Sequence, residues 1–413
     1  MTDKSNTGIF YGWVMVAAAS IILSLQWGCI GTYGIFLTEL CGDLDWTRTA
    51  VSGAYSLFAI ISCLVGVVAG RLNDRYGPRL ILMISIIAMG IGYALMSTLD
   101  ALWQLYIFYG VIVAIGASFG WVPAISTVSR WFTRKRGMAL GATEAGIGIG
   151  SFIMPPLAQF LIIKFGWRAS YLILAGLLFI IGLPASRLMR LSPSEKGLYP
   201  DGIKETTESK RNSNLISDTA DFTLGQAIRT KQFWLLFALY TIAALPFGIL
   251  IHLKAYMLSF SISEMTAATT IGISSGAFAV GALVISKLSD RIGRKVPLFI
   301  SLLAMAVMML WLIKAREPWE FYLFSIISGF SWGGTVLFPA IIADWFGMKS
   351  HGSIYGVLDI GWGIGGGIAP LLTGYIFDTT GSYEPAIIMG AIALFVAMGL
   401  PLIIKAPQVQ KSS

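Results

Sequence analysis

The sequence predicts an all-α membrane protein of twelve transmembrane helices, arranged in two similar halves. Of the 413 residues, 56% are hydrophobic and only 12% are charged, whereas soluble globular proteins average about 25% charged residues. Apolar runs of 18 residues or more, long enough to cross a bilayer as helices, recur along the chain. A glycine-rich pattern that contains one acidic residue occurs twice, 215 positions apart. The alternating ten-residue segments typical of a membrane β-barrel are not visible.

Twelve apolar segments follow from the hydropathy of the chain, with ends defined to within a few residues. They are residues 11–38, 48–70, 79–98, 102–129, 137–163, 168–190, 232–258, 265–286, 296–313, 319–346, 352–377 and 385–404. We therefore divide the chain into an N-terminal half (1–190), a linker (191–229) and a C-terminal half (230–413). The linker is polar and poor in apolar residues, so we expect it to be flexible and to end in a short amphipathic helix near residues 222–230.

Polar side chains interrupt the first predicted helix in its second half. Gln26 and Tyr33 lie there, and a polar group at this depth needs a partner on a neighbouring helix or a water-filled cavity. They therefore either make helix–helix hydrogen bonds or face the solute. Three cysteines, Cys29, Cys41 and Cys63, lie in or near the first two helices without metal-ligand spacing, and we interpret them as reduced packing residues.

Two loops repeat one motif, GRLNDRYGPR at residues 70–79 and SKLSDRIGRK at residues 286–295. Asp74 matches Asp290, and Gly77 matches Gly293, both at an offset of 216 positions. An acid followed by arginine and a glycine turn can clamp a helix end against the other half, and a carboxylate can also bind a helix N-terminus. We therefore predict gating loops whose functional residues are the paired acids and arginines, namely Asp74, Arg75, Asp290 and Arg291.

Three further positions are candidates for a solute pathway. Phe119 and Trp332, on the fourth and tenth predicted helices, lie beside small polar residues and either line a cavity or pack between helices. The seventh helix is interrupted at Pro246, which frees backbone groups that neighbours or cavity water must satisfy. His252 near its outer end is either an interfacial structural residue or a proton-handling group at an extracellular gate. We expect the neighbouring Lys254 to extend toward the membrane surface.

The duplicated segment places one acid in each half, Glu144 and Asp359. A carboxylate that faced lipid at this depth would cost about 2.5–3.5 kcal/mol, so both should face protein or water. Burial disfavours the charged form of a carboxyl group, which suits a proton carrier. Two alternatives stay open: each acid balances a cationic group of the solute, or each is a protonated group with a purely structural hydrogen bond.

The glycines beside these acids are expected to permit close helix contact. Gly146 with Gly150, and Gly361 with Gly365, form pairs of small residues four positions apart. We predict that they let the fifth and eleventh helices rock against the opposite half of the protein. Such rocking about a site near the middle of the membrane is the motion expected of alternating access.

The positive charge of the chain is concentrated on one side of the predicted bundle. Its short loops hold twelve Lys and Arg residues, in segments 71–79, 130–136, 287–295 and 347–351, against six on the other side. Cytoplasmic loops carry such an excess, so we predict a multi-pass protein of the cell inner (plasma) membrane with both termini in the cytoplasm. Because topology accounts for the net charge of +8, no nucleic-acid partner is predicted, and the lipid bilayer is the expected surroundings.

The loop motifs resemble those of the major facilitator superfamily. RWFTRKRGMALGATEAG, residues 130–146, is similar to the signature of the fifth helix in the monocarboxylate porter family. FYGWVMV at residues 10–16 and SPSEKGLYPDG at residues 192–202 look like the bacterial branch of that family. The resemblance implies the major facilitator fold and secondary transport by alternating access. It further implies proton-coupled symport of a small organic acid, with the monomer as the functional unit.

The sequence departs from that family where the substrate carboxylate would bind. Ala282 stands where family members place an arginine in the eighth helix, and the first helix lacks the acid that usually precedes it. None of the 29 Lys and Arg residues falls in the middle of a predicted span. An alternative solute is therefore cationic, zwitterionic or neutral and apolar, with import or export possible. A sensor that does not transport is a further alternative. No phosphate loop, metal cluster or catalytic triad is present in the sequence, so we predict no enzyme, no cofactor and no metal site.

Overall fold

The computed structural model describes residues 10–133, 135–202, 222–347 and 350–403, and these residues form helices and connecting turns without a β-strand. Eleven helical segments are long and apolar enough to cross a membrane within this part of the chain. Those of the first half are α1 (Tyr11–Asp43), α2 (Arg48–Tyr76), α3 (Pro78–Met96), α4 (Leu102–Trp131) and a stretch of 52 residues, Gly137–Leu188. Those of the second half are α7 (231–258), α8 (Glu264–Ile292), α9 (Lys295–Lys314), α10 (Pro318–Phe346), α11 (His351–Thr380) and α12 (Glu384–Ile403).

The stretch Gly137–Leu188 makes two crossings rather than one. Gly166 has a φ of 78°, a left-handed value that a glycine adopts without strain, and it breaks the helix. A straight helix of this length would span about 78 Å at about 1.5 Å per residue, against about 30 Å of hydrocarbon. The glycine therefore separates α5 (137–165) from α6 (167–188). The chain crosses the membrane twelve times, as predicted.

Each half of the chain builds its own hydrophobic core. In the first half α1 packs against α5, and α4 packs against α2 and α3. In the second half α8 packs against α10, α9 against α12, and α7 against α11. The two halves meet where α2 packs on α11 and where α5 packs on α8. These two helix pairs form the walls between the halves.

An even number of crossings places both chain ends at one end of the bundle. We name this the terminal end; it also holds the α2–α3, α4–α5, α8–α9 and α10–α11 loops. The other is the distal end. The two predicted motif loops have the same turn at the terminal end, because Gly77 and Gly293 have φ values of 82° and 84°. The matching backbone supports the parallel repeat inferred from their sequences.

The linker is attached to both halves at the terminal end. It begins with two 3₁₀ turns, and the Asp201 carboxylate accepts hydrogen bonds from Thr133 N at 2.8 Å and Thr133 Oγ1 at 2.7 Å in the α4–α5 loop. It ends where Phe222 N donates to the carbonyl of Phe346 at 2.9 Å. The short helix predicted near residues 222–230 is present as Leu224–Ile228. The predicted flexible segment at 203–221 lies outside the described residues.

Candidate functional site

Each wall between the halves has a close contact at a glycine, and these two glycines occupy the same position in the repeat. A Cβ added to Gly148 on α5 would lie 2.6 Å from Ala279 Cβ on α8. A Cβ added to Gly363 on α11 would overlap Cys63 Sγ on α2. Their separation of 215 positions equals the repeat offset. A side chain at Gly148 would therefore push the helices apart, and one at Gly363 would require the Cys63 side chain to move.

The four glycines predicted to form this moving surface lie elsewhere, so that prediction is wrong. Gly146 and Gly150 pack against Ser20 and Ser24 of α1, inside the first half. Gly361 and Gly365 pack on α7, inside the second half, chiefly at Thr241. Each residue of a helix turns the chain by about 100°, so a residue two positions away lies on nearly the opposite face. The glycines that face the other half are therefore Gly148, between Gly146 and Gly150, and Gly363, between Gly361 and Gly365.

Glu144 and Asp359 lie one helical turn toward the terminal end from these contact glycines. Glu144 is exposed and Asp359 is half-buried. Neither carboxylate has a hydrogen bond or an ion pair with any residue that the structure describes. About one helical turn further toward the terminal end, a Cβ added to Gly141 or Gly356 would meet no atom of a neighbouring helix within 4 Å among the described residues. The walls thus separate toward the terminal end, and both acids lie at the point where the separation begins.

Tyr355 has an acid of each half among its electrostatic neighbours. It lies four residues before Asp359, on the same face of α11, and its hydroxyl is within electrostatic range of both Asp359 and Glu144. The thiol of Cys63 on α2 is also within electrostatic range of Asp359. Two acids that are 215 positions apart in the chain therefore share Tyr355 as an electrostatic neighbour. Neither Tyr355 nor Cys63 was singled out as a site residue from sequence, although the four-residue spacing to Asp359 is a signal for Tyr355.

Aromatic side chains lie on the distal side of Asp359. The Trp332 ring centroid is 5.6 Å from that of Trp362 and 6.1 Å from that of Phe247. Phe247 in turn lies 6.0 Å from Tyr55 of α2, in the other half. Both tryptophans are partly exposed. Trp332, a sequence candidate, therefore belongs to an aromatic cluster between the halves, while Phe119 on α4 is half-buried.

Two other sequence candidates are engaged inside the first half. The Gln26 side chain is buried and donates from Nε2 to Ser85 Oγ at 2.6 Å. The Tyr33 hydroxyl donates to the carbonyl of Val51 at 2.5 Å, and its ring packs against Tyr109. In this conformation both side chains join neighbouring helices of one half, and neither is near the two acids.

His252 lies at a junction of both halves near the distal end. Its side chain is fully buried, with Nε2 at 2.9 Å from Ser52 Oγ of α2 and 3.2 Å from the carbonyl of Pro370 in α11. Its Nδ1 lies 3.1 Å from the Tyr383 hydroxyl. The histidine therefore joins α2 of the first half to α7 and α11 of the second.

Lys254 is buried rather than extended toward the membrane surface, so the prediction for this residue is wrong. Its Nζ donates to Glu39 Oε1 at 2.7 Å and to the carbonyl of Ile35 at 3.1 Å, both on α1. The backbones meet here too, because a Cβ added to Gly34 would overlap the Ile251 carbonyl oxygen. The sequence could not show that the other half supplies the counter-charge.

A third distal junction joins α11 to the start of α2. The Asp378 carboxylate accepts hydrogen bonds from Arg48 N at 3.3 Å, Thr49 N at 2.8 Å and Thr49 Oγ1 at 2.5 Å. It thereby satisfies unpaired N–H groups at the N-terminus of a helix in the other half. The Arg48 guanidinium lies 3.7 Å from the centre of the Phe377 ring. The distal end is therefore closed by charged and polar contacts between the halves.

At the terminal end, the described contacts of the second gating loop remain within one half. Asp290 pairs with Arg294, whose Nε lies 3.4 Å from Asp344 Oδ2 at the end of α10. Arg75 and Arg291 are exposed, and the Asp74 side chain lies outside the described residues. Among the residues that the structure places, no group of three or more His, Cys, Asp and Glu side chains could hold a metal ion.

Comparisons with known proteins agree with this architecture. The profile of the Major Facilitator Superfamily matches residues 16–339 and 260–413. "Uncharacterized MFS-type transporter YhjX" of Escherichia coli is 25% identical over 84% of both chains. "Monocarboxylate transporter 13" of Bos taurus is 24% identical over 94% of this chain and 88% of that one. "MFS transporter asaE" of Aspergillus flavus is 26% identical over 98% of this chain and 91% of that one.

A solved structure has the same fold over nearly the whole chain. It is a bacterial homologue of the human lysosomal transporter Spinster, in an inward-facing and unoccupied conformation. The two structures superpose with a TM-score of 0.73 at 17% identity, covering 97% of each chain. At this identity the likeness establishes the fold alone.

Proposed function

Because the chain belongs to the major facilitator superfamily and is therefore a transporter, we propose that it moves a small solute across the plasma membrane by alternating access. One observation carries the proposal. The halves are joined by polar contacts at the distal end, while α5 and α11 separate from the opposite half at the terminal end, with two unpaired acids at the boundary. A solute entering from the terminal end would reach the acids and go no further. The space between the separated walls at the terminal end, which we call the cleft, is formed within one chain. This supports a monomeric functional unit.

The terminal end is the cytoplasmic end in this proposal. Its short loops carry the excess of Lys and Arg that marks cytoplasmic loops. The conformation would then be inward-facing, and the solved relative of the same fold was also captured inward-facing and unoccupied. Opening toward the outside would require the distal contacts to break and the walls to close at the terminal end.

We assign proton coupling to Glu144 and Asp359. Tyr355, Cys63 and Tyr240 are titratable side chains within electrostatic range of one or both acids. None of the described Lys or Arg side chains pairs with either acid. When both ends of the pathway close, an ionised carboxylate would be cut off from water at high cost. Each acid must therefore be neutralised before the closed intermediate forms. A proton does this, and its later release on the other side couples transport to the proton gradient.

Symport of a small organic acid fits this scheme. Several relatives are named monocarboxylate transporters, and the sequence resembles that family. No arginine is needed if Glu144 and Asp359 are protonated, since a neutral carboxyl group donates a hydrogen bond that a substrate carboxylate accepts. Two protons carried with one monocarboxylate would move a net charge of +1 across the membrane, so such a step would be electrogenic.

A second solute class is favoured by the surroundings of the acids. Trp362 lies three residues after Asp359 on α11 and packs against Trp332, and both tryptophans are partly exposed. Aromatic faces attract organic cations. A cationic solute would neutralise the carboxylates directly and would compete with protons for them. The protein would then exchange the cation for protons instead of carrying both together.

Uptake into proteoliposomes distinguishes the two classes. Labelled lactate or acetate should accumulate when the outside is made acidic, with labelled choline as the comparison. Accumulation of choline driven by protons moving the opposite way, without lactate or acetate uptake, would replace symport by exchange. A purified, folded protein that moves no solute in either assay would count against transport of both classes.

A further inference from the structure

We propose that Glu39 and Lys254 form the lock of the distal gate, an ion pair that joins the two halves in the present conformation and breaks when the distal end opens. The inference rests on the proposed function, because it names the contact that alternating access would have to break. With the terminal end in the cytoplasm, as proposed above, the lock lies at the extracellular side.

The pair is positioned by the internal repeat. Glu39 and Lys254 are 215 positions apart, the same offset that relates Gly148 to Gly363 and Glu144 to Asp359. Each residue is therefore the repeat counterpart of the other. In a twofold arrangement, equivalent residues can touch each other only near the symmetry axis. The pseudo-twofold axis of such transporters runs along the membrane normal, between the halves. The ion pair thus lies across the centre of the pathway at its distal end.

The chemistry of the two residues suits a lock. If the repeat had kept the same residue type in both halves, two like charges would meet at the axis and repel. Here one half supplies an acid and the other a base, and their atoms are 2.7 Å apart. The Lys254 side chain is 0% exposed and the Glu39 side chain 22% exposed. A buried ammonium that loses its carboxylate partner is strongly destabilised unless it reaches water. Opening the distal end would give Lys254 that access to water.

Both helices are broken just before the pair. α1 consists of Tyr11–Gly31 and Tyr33–Asp43, and Glu39 lies on the second piece. α7 ends in the piece Leu253–Leu258, which follows an interruption at His252 and carries Lys254. The distal pieces of both helices therefore present the charges to each other. Each piece can reorient at its break without unwinding the rest of the helix.

Two native cysteines provide the readout. Cys41 lies near the distal contacts, within electrostatic range of Arg48 and Asp378. Cys63 is half-buried on the α2–α11 wall against Gly363, within electrostatic range of Asp359, where the walls begin to separate toward the terminal end. In sealed vesicles, a membrane-impermeant thiol reagent added to one face at a time labels each cysteine at a rate that peptide mass spectrometry measures. Opening of the distal end should raise the rate at Cys41 and lower the rate at Cys63.

The test compares Glu39→Gln, Lys254→Met and the exchanged pair Glu39→Lys with Lys254→Glu. We expect Glu39→Gln to raise the ratio of Cys41 to Cys63 labelling on the order of tenfold, and the exchanged pair to return it most of the way to the native ratio. Asp100→Asn is the matched control, because Asp100 pairs with Arg168 at 3.3 Å at the same end but within one half. This control should leave the ratio unchanged.

Two results would overturn the lock. One is a native labelling ratio in folded Glu39→Gln, and the other is an exchanged pair that behaves no better than its single variants. If Lys254→Met does not fold, Glu39→Gln and the exchanged pair still decide the question, since Glu39 is partly exposed. Labelling does not depend on solute movement. A variant that opens the distal end while no solute is carried would therefore support the lock and count against the proposed transport.

Discussion

Glu144 and Asp359 each precede a glycine contact between the halves by one helical turn, and this placement decides what they can do. Gly148 and Gly363 hold the walls together, and the acids lie on the first turn beyond, where the walls part. An acid at that level faces water while the cleft is open and loses it when the cleft closes. Neutralisation of the carboxylate thus becomes a condition for closing, which is how a proton can be coupled to the motion.

Neutral amides at these positions test the coupling. In Glu144→Gln or Asp359→Asn, we expect accumulation driven by a pH gradient to be abolished while exchange of internal for external solute stays within about twofold of the native rate. The amide still forms a hydrogen bond, but it cannot release a proton. Labelled-solute accumulation and exchange in proteoliposomes measure the two effects separately.

Asp100→Asn, at the exposed distal surface, serves as the control and should change neither rate. A loss of exchange together with accumulation would indicate that the acid binds a cationic solute itself. Native behaviour of both amide variants in both assays would leave the carboxylates with a structural role only.

At the scale of the elements, broken and continuous helices have different places in the molecule. α1 and α7 are interrupted, and their outer pieces make the distal contacts. α5 and α11 run without a break past the two acids and form the walls with α8 and α2. Continuous helices can transmit a tilt from one end of the bundle to the other, while short outer pieces can adapt to it.

The motif loops should matter most when the terminal end closes. Asp290→Asn, and likewise Asp74→Asn, should slow transport severalfold with little loss of stability. An exposed ion pair such as that of Asp290 contributes only about 0.2–1 kcal/mol to folding. Initial uptake rates, normalised to the amount of folded protein in the membrane, measure the effect. If both variants transport at native rates, these loops do not gate the terminal end.

At the scale of the whole molecule, the parallel repeat gives two similar bodies with separate cores and two narrow walls between them. Such an arrangement favours rigid rocking of one half against the other, since the cores need not repack. The walls meet through glycines and small side chains. They can therefore separate at one end while staying in contact at the other.

The orientation of the whole molecule can be tested by mapping the linker. A protease site or epitope tag placed in the linker, within residues 203–221, should be accessible only from the cytoplasmic side of sealed vesicles. The positive-inside distribution of Lys and Arg is the physical reason. A tag in the loop after α1, at residues 44–47, is the matched probe for the other side. Reversed accessibility of the two tags would invert the proposed topology and make the conformation outward-facing.

Local patterns in the sequence were sufficient for the architecture. Hydropathy located the twelve crossings, the repeat offset related the halves, and the glycine ladder placed Glu144 and Asp359 at equivalent depths. These features depend on segment length and on the helical period, which a single stretch of chain contains. The sequence also singled out His252 and Trp332, which the structure places between the halves.

The tertiary structure alone decided which surfaces meet. It showed that Gly148 and Gly363 contact the other half, that Gln26 is satisfied by Ser85, and that Lys254 is buried against Glu39. It also showed which end of the bundle is closed. Each of these facts depends on how one half is placed against the other. The same helices can pack in more than one such arrangement, and the differences come from contacts between residues some 215 positions apart. Such contacts leave no periodic pattern in the local sequence.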